Sequence, residues 1–189
     1  MNAQSNWKEF WKQSSPIKSW IITHPFKAKK ARIISHEAVR ISDSIAKTNL
    51  LDGDKFGGQV DAFRHAYWMA ALHQNVGKNA SKSLGLAYER SNKKTYKKQL
   101  RKGKEPSYDE VSKQMDLFNN AVGLKFTQKN AKISKESLIY QIVKAIKQGE
   151  FRMLKKDTLG NFLNCKNEII PKNELQKWKS KKCLIPSNN

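Results

Sequence analysis

Asp61-Ala-Phe-Arg-His-Ala-Tyr-Trp-Met-Ala-Ala-Leu72 is the stretch whose reading decides the fold. It is an apolar, helix-forming run, yet Asp61, Arg64 and His65 all fall within its first five residues. Apolar helices bury their faces, and an unpaired charge placed there costs roughly several kcal/mol. Two placements satisfy that demand. The three side chains face solvent along a narrow stripe, or they belong to a polar cluster inside the fold.

Residues four apart on a helix lie about 40° from one another. Asp61 therefore stands one turn before His65 and can hold its imidazole by a hydrogen bond. Such a bond fixes the tautomer and raises the basicity of the other ring nitrogen. Arg64 is placed to neutralise Asp61 or a bound anion. Asp116 and Asn120 repeat the four-residue offset further along, with Asn119 beside them, and Glu89 follows Tyr88 on the segment between. If these helices pack together, Asp61, Arg64, His65, Glu89, Asp116 and Asn120 meet in one cleft.

Each of these residues has an ordinary explanation as well. Asp61 suits a helix cap after Gly57 and Gly58, Arg64 a surface position, and His65 a hydrogen-bonded core position. Asn119 and Asn120 suit the end of a helix. Taken together they are harder to dismiss, because buried polar groups must satisfy one another and so cluster. Clusters with perturbed titrations are enriched at functional sites. His73, about 80° from His65 on a helical wheel, reads as peripheral.

Helical periodicity recurs outside the central run. Ala31, Ile34, Ala38, Ile41 and Ile45 mark a long helix over 27–49, with His36 and Glu37 on its solvated face. The central helix spans 61–76 and stops at Gly77. Helix then continues over 79–100 and dissolves into a lysine-rich loop or frayed end from Lys93 to Lys104. Ser107-Tyr-Asp-Glu110 reads as a capping box ahead of Met115, Leu117, Phe118 and Val122. Ser134 opens another helix, closed by Gly149. The expected fold is all-α: a single globular domain of five to six helices with an irregular C-terminal segment. Residues 1–26 form an aromatic, basic segment, with Trp7, Phe10 and Trp11 on one helical face, that docks on the domain. Residues 27–150 carry the polar cluster, and 151–189 are short and mixed, with strand alternation only near 150–154 and a final helical turn at 174–179.

The chain carries 37 Lys and Arg against 16 Asp and Glu, a formal charge of +21 in 189 residues. That field attracts nucleic acid, anionic lipid or another acidic polymer. Only six of the basic residues are Arg, so the attraction is expected to be non-specific, since Lys lacks the bidentate fork. A solvated lysine-rich surface is the plain alternative. No apolar stretch approaches the ~18 residues needed to span a bilayer. Cys165 and Cys183 are the only cysteines. Paired, they imply an oxidising compartment and add roughly 3 kcal/mol; unpaired, they are two buried thiols. Secretion or a periplasmic location is expected, with the cytoplasm left open.

Asp61-Ala-Phe-Arg-His-Ala-Tyr-Trp68, Ala87-Tyr-Glu89 and Met115-Asp-Leu-Phe-Asn-Asn-Ala-Val-Gly123 resemble the signature D-A-x-R-H-A-x-W, A-H-E, M-D-x-x-N-N-x-x-G of a little-characterised bacterial family. Its members are small helical domains, some at the ends of secreted or toxin-like proteins. The resemblance covers about residues 57–125 and implies a shared polar set of Asp61, Arg64, His65, Glu89, Asp116, Asn119 and Asn120. Position 88 departs from it, with Tyr88 where the signature has His, so no ligand role is carried over there.

Three functions follow. The first is a hydrolase acting on an anionic substrate, a phosphodiester of nucleic acid or phospholipid. His65 is then the base, oriented by Asp61, with Glu89 as acid and Arg64 against developing charge. Asn119, Asn120, Trp68 and Tyr88 would contact substrate, and Asp116 with Glu89 would hold a divalent cation: Mg, Mn, Ca or Zn. The second is a non-catalytic cationic binding module. The third is a membrane-disrupting, toxin-like protein, and a toxin would require an immunity-type partner.

Overall fold

The computed structural model describes residues 12–106 and 108–189. The expected face of Trp7, Phe10 and Trp11 lies outside the described residues. A helix that is apolar on every side has to be wrapped on every side, and the central run meets that condition. It forms a helix over Gln59–Val76, and most of its side chains, from Val60 to Val76, are buried. Around it pack helices over Pro25–Ile45, Lys78–Arg101, Glu110–Gly123 and Lys135–Lys147. A short helix, Ser15–Thr23, precedes these and a single turn, Lys172–Leu175, follows them. In chain order the helices that lie wholly among the described residues are α1 (Ser15–Thr23), α2 (Pro25–Ile45), α3 (Gln59–Val76), α4 (Lys78–Arg101), α5 (Glu110–Gly123), α6 (Lys135–Lys147) and α7 (Lys172–Leu175). The architecture is a mostly-α single domain.

The periodic residues of α2 and α6 are the ones buried, Ala31, Ile34, Ala38, Ile41 and Ile45 on one and Leu138, Ile142, Val143 and Ile146 on the other. Glu37 is not simply solvated. It accepts hydrogen bonds from Tyr67 on α3 (2.7 Å) and from Lys135 on α6 (2.7 Å), joining three helices. His73 is also inside, with Nδ1 3.0 Å from the Leu124 carbonyl oxygen.

Two sequence expectations are corrected. The lysine-rich stretch does not dissolve at Lys93, because α4 runs on to Arg101. Lys and Gln are good helix formers, and buried Tyr96 anchors the end, donating to the Gln176 carbonyl and meeting the Trp178 ring edge-on. The cap of α5 is Asp109, whose Oδ1 accepts from Ser112 N at 2.8 Å, so the helix opens two residues after the expected capping position; Ser107 itself lies outside the described residues.

The C-terminal segment is clamped to the core. Strands β1 (Arg152–Leu154) and β2 (Leu184–Pro186) pair antiparallel, with Met153 opposite Ile185. Phe151 is fully buried against Phe126, Ser187 donates to the Ile146 carbonyl, and Cys165 and Cys183 form a disulfide. Among the described residues no helix is long and apolar enough to cross a membrane.

Candidate functional site

A tight turn sets the first side of the site. The orphan N–H groups at the start of α3 go to Asp52, whose Oδ2 accepts from Gln59 N (2.7 Å) and Oδ1 from Val60 N (3.3 Å). Gly58 makes this possible, since a Cβ there would lie 2.5 Å from Asp52 Oδ2. Asp61 is therefore released from capping. Its Oδ2 accepts from Gly57 N at 2.8 Å, and Oδ1 turns toward the interior of the bundle.

Oδ1 of Asp61 meets Arg64, whose Nη2 donates to it, and stands 3.7 Å from His65 Nε2. Arg64 Nη2 also lies 3.1 Å from His65 Nε2. A guanidinium has only donors, so Nε2 is the unprotonated nitrogen and the ring proton is on Nδ1. Nδ1 donates to Asn120 Oδ1 at 3.1 Å. The imidazole is thus oriented from α5 by Asn120, and not by Asp61 as the four-residue spacing predicts. Asn120 Nδ2 has no protein partner among the described residues, so the amide is held through its oxygen.

Asp116 completes the group, with Oδ1 3.2 Å from His65 Nε2. Two bare lone pairs at that distance repel unless a proton or a cation lies between them. Burial, with Asp61 and Glu89 nearby, raises the Asp116 carboxyl well above the usual range, which favours a proton in that contact. Burial first and Arg64 second push His65 down to about 4, so its ring is neutral at neutral pH. One oxygen each of Asp61 and Asp116 and one His65 nitrogen lie within 4.8 Å of one another. This set differs from the expected metal pair of Asp116 with Glu89.

The three converge on a cleft of about 440 Å³. Its wall carries both signs of charge, with Lys55 paired to Asp43, Arg64 to Asp61 and Lys182 to Asp109, while Phe56, Tyr88, Tyr108 and Leu154 bring apolar surface. Glu89 is not in that wall. It lies fully buried behind Tyr108, whose hydroxyl donates to Glu89 Oε2, and burial raises its carboxyl to about 8.

Asn119 and Trp68, both expected at substrate, do not line the cleft. Asn119 is spent on the backbone of β1, donating to the Arg152 carbonyl and accepting from Arg152 N, each at 2.9 Å. Trp68 donates to Ser35 Oγ and props Tyr88 edge-on from below. Sequence reasoning missed Tyr108, Lys182 and Lys55. Only the Tyr108 neighbourhood carried a signal, as the approach to a helix start.

The sequence pattern of one protein family, described as a domain of unknown function (DUF6973), matches residues 18–150. The chain belongs to that family. Asp61, His65, Asp116 and Asn120 all lie inside the DUF6973 match, while Leu154 and Lys182 reach the cleft from beyond it. Neither a curated protein nor a solved structure matches the chain.

Proposed function

We propose that this protein is a hydrolase of an anionic ester, a phosphodiester of nucleic acid or phospholipid, working through a divalent cation held by Asp61, His65 and Asp116. One observation carries the reading: the lone pair of His65 Nε2, fixed by Asn120, converges with two carboxyl oxygens at the wall of a cleft. Two oxygens and one imidazole nitrogen suit Mn²⁺, Mg²⁺ or Zn²⁺. Bound there, such an ion supplies Lewis acidity and an acidified water.

The chain's own residues do the rest. Lys55, about half exposed at the cleft, and the chain's +21 charge draw the anionic group toward it. Tyr108, backed by Glu89 whose carboxyl burial raises to about 8, offers a hydroxyl that can turn to protonate a leaving oxygen. The Cys165–Cys183 disulfide supports a secreted or periplasmic location. A toxin-like role with an immunity-type partner rests on the family resemblance alone.

The test is cleavage of plasmid DNA, RNA and phosphatidylglycerol vesicles by chelator-treated protein, with and without added Mn²⁺, Mg²⁺ or Zn²⁺. One substrate class is cleaved on metal addition, and His65→Ala and Asp116→Asn abolish the cleavage. Turnover that survives His65→Ala sinks the mechanism.

A second reading, the non-catalytic binding module, is favoured by a groove of about 630 Å³ between α1 and α4. Arg90, Lys93, Lys94 and Lys97 face it at helical spacing, opposite Ser15, Ser19 and Thr23, and no acidic side chain lines it among the described residues. Steeply salt-dependent polyanion binding, without turnover and indifferent to His65→Ala, would replace the hydrolase with this reading.

A further inference from the structure

Arg64 sits where the cation of the proposed hydrolase has to bind. Its Nη2 donates to Asp61 Oδ1 and, at 3.1 Å, to His65 Nε2, which are two of the three converging ligand atoms. A lone pair that donates to a metal cannot also accept from a guanidinium, and two cations crowded onto the same atoms repel. The two occupants exclude each other.

The cluster differs sharply in freedom to move. The Asp61, His65 and Asp116 side chains are 10%, 3% and 7% exposed, while that of Arg64 is 32% exposed and lines the cleft. Arg64 is also rooted on α3 between Asp61 and His65, so it can leave by rotating its own side-chain torsions with no backbone movement. We propose that Arg64 is a built-in cation that occupies the ligand set until a divalent ion arrives. It then swings into the cleft, where its freed guanidinium binds the anionic group of the substrate. The inference rests on the metal-dependent reading above and adds to it an exchange that couples metal loading to substrate capture.

The experiment is calorimetric titration of Mn²⁺ into the chelator-treated full chain, as wild type, Arg64→Gln and Arg64→Met, each checked for folding by circular dichroism. Losing a charge-assisted bond to the ligands is expected to tighten Mn²⁺ binding about ten-fold or more in both variants. In the Mn²⁺-loaded proteins, inorganic phosphate binds about ten-fold more weakly to the variants than to wild type. Equal or weaker Mn²⁺ affinity in the variants overturns the exchange and leaves the metal-dependent hydrolase standing. Mn²⁺ bound by the variants but not by wild type keeps Arg64 as the occupant and overturns the metal dependence. Binding by none of the three overturns both. The two variants differ in polarity, so a folding failure in one leaves the other to decide.

Discussion

His65 Nδ1 lies 3.1 Å from Asn120 Oδ1, and that bond determines which ring nitrogen turns an unprotonated lone pair toward Arg64 and the carboxyls. Partners of this kind, one bond behind a ligand, typically change metal affinity 10–100-fold when removed. Asn120→Leu is therefore expected to weaken Mn²⁺ binding by about 10–100-fold. Asn120→Asp, which keeps the acceptor, retains binding. Calorimetry on both variants checks this; a Leu variant with wild-type affinity would mean that the ring is held by something else.

Glu89 gives the stability a pH dependence whose sign is fixed by its burial. Desolvation raises its carboxyl to about 8, against an opposing hydrogen bond from Asn92 and the charge of Lys113. The unfolded chain has an ordinary glutamate near 4.5. Between those values the folded chain holds one proton more than the unfolded chain, so this residue's contribution falls as pH rises. Glu89→Gln removes the titration. Its melting temperature, relative to wild type, is expected to climb steadily from pH 5 to pH 8, by up to about 1 kcal/mol of stability per unit. A difference that stays flat with pH would mean that Glu89 is ionised in the fold.

Much of this was legible in the sequence, for reasons that particular residues make plain. The 3.6-residue spacing of Ala31, Ile34, Ala38, Ile41 and Ile45 is a local signal, and it gives α2 its buried face. The gathering of Asp61, His65, Asp116 and Asn120 could be argued because charges on apolar helices must pair. Which of them pair could not be read, because that depends on how α3 and α5 cross. Asn119 and Asn120 are neighbours in sequence, yet one holds the β1 backbone and the other holds His65. Lys182 was invisible because no local pattern connects it to α5. Only the folded C-terminal segment carries it there.

That connection is a buried ion pair. Lys182 Nζ lies 2.7 Å from Asp109 Oδ2, with the two side chains 6% and 1% exposed. Asp109 also caps α5 and accepts from Ser180 Oγ at 2.8 Å. Asp109→Ala strands a buried ammonium and uncaps the helix that carries Asp116. A loss of about 3–5 kcal/mol is expected by urea denaturation. Lys182→Met is expected to cost less than Asp109→Ala, because Asp109 keeps its other donors. Equal costs would place the whole effect in the ion pair.

The disulfide closes the segment next to Lys182. A loop of this length is worth roughly 3 kcal/mol in the chain-entropy account. Cys165→Ser with Cys183→Ser should therefore lower the melting temperature by about 6–12 °C at 2–4 °C per kcal/mol. Reductant should lower wild type by a similar amount and leave the double variant unmoved. A reductant effect on the double variant would mean that something other than this bond is responsible.

Gly123 sets the distance between the two halves of the site. It ends α5 where that helix crosses α3, and a Cβ built there lies 2.6 Å from the Ala66 carbonyl oxygen and 2.7 Å from Ala66 Cα. Those are backbone atoms of the residue after His65, so no side chain can yield and the helices must separate. Overpacking of this kind costs about 1–3 kcal/mol. Asn120 is one turn before Gly123 on α5 and Asp116 one turn earlier still. Separation at Gly123 therefore draws both away from His65. Gly123→Ala is expected to lower the melting temperature and also to weaken Mn²⁺ binding, although residue 123 touches none of the ligands. If the variant is destabilised but binds Mn²⁺ as wild type does, the close approach of α3 and α5 serves stability alone.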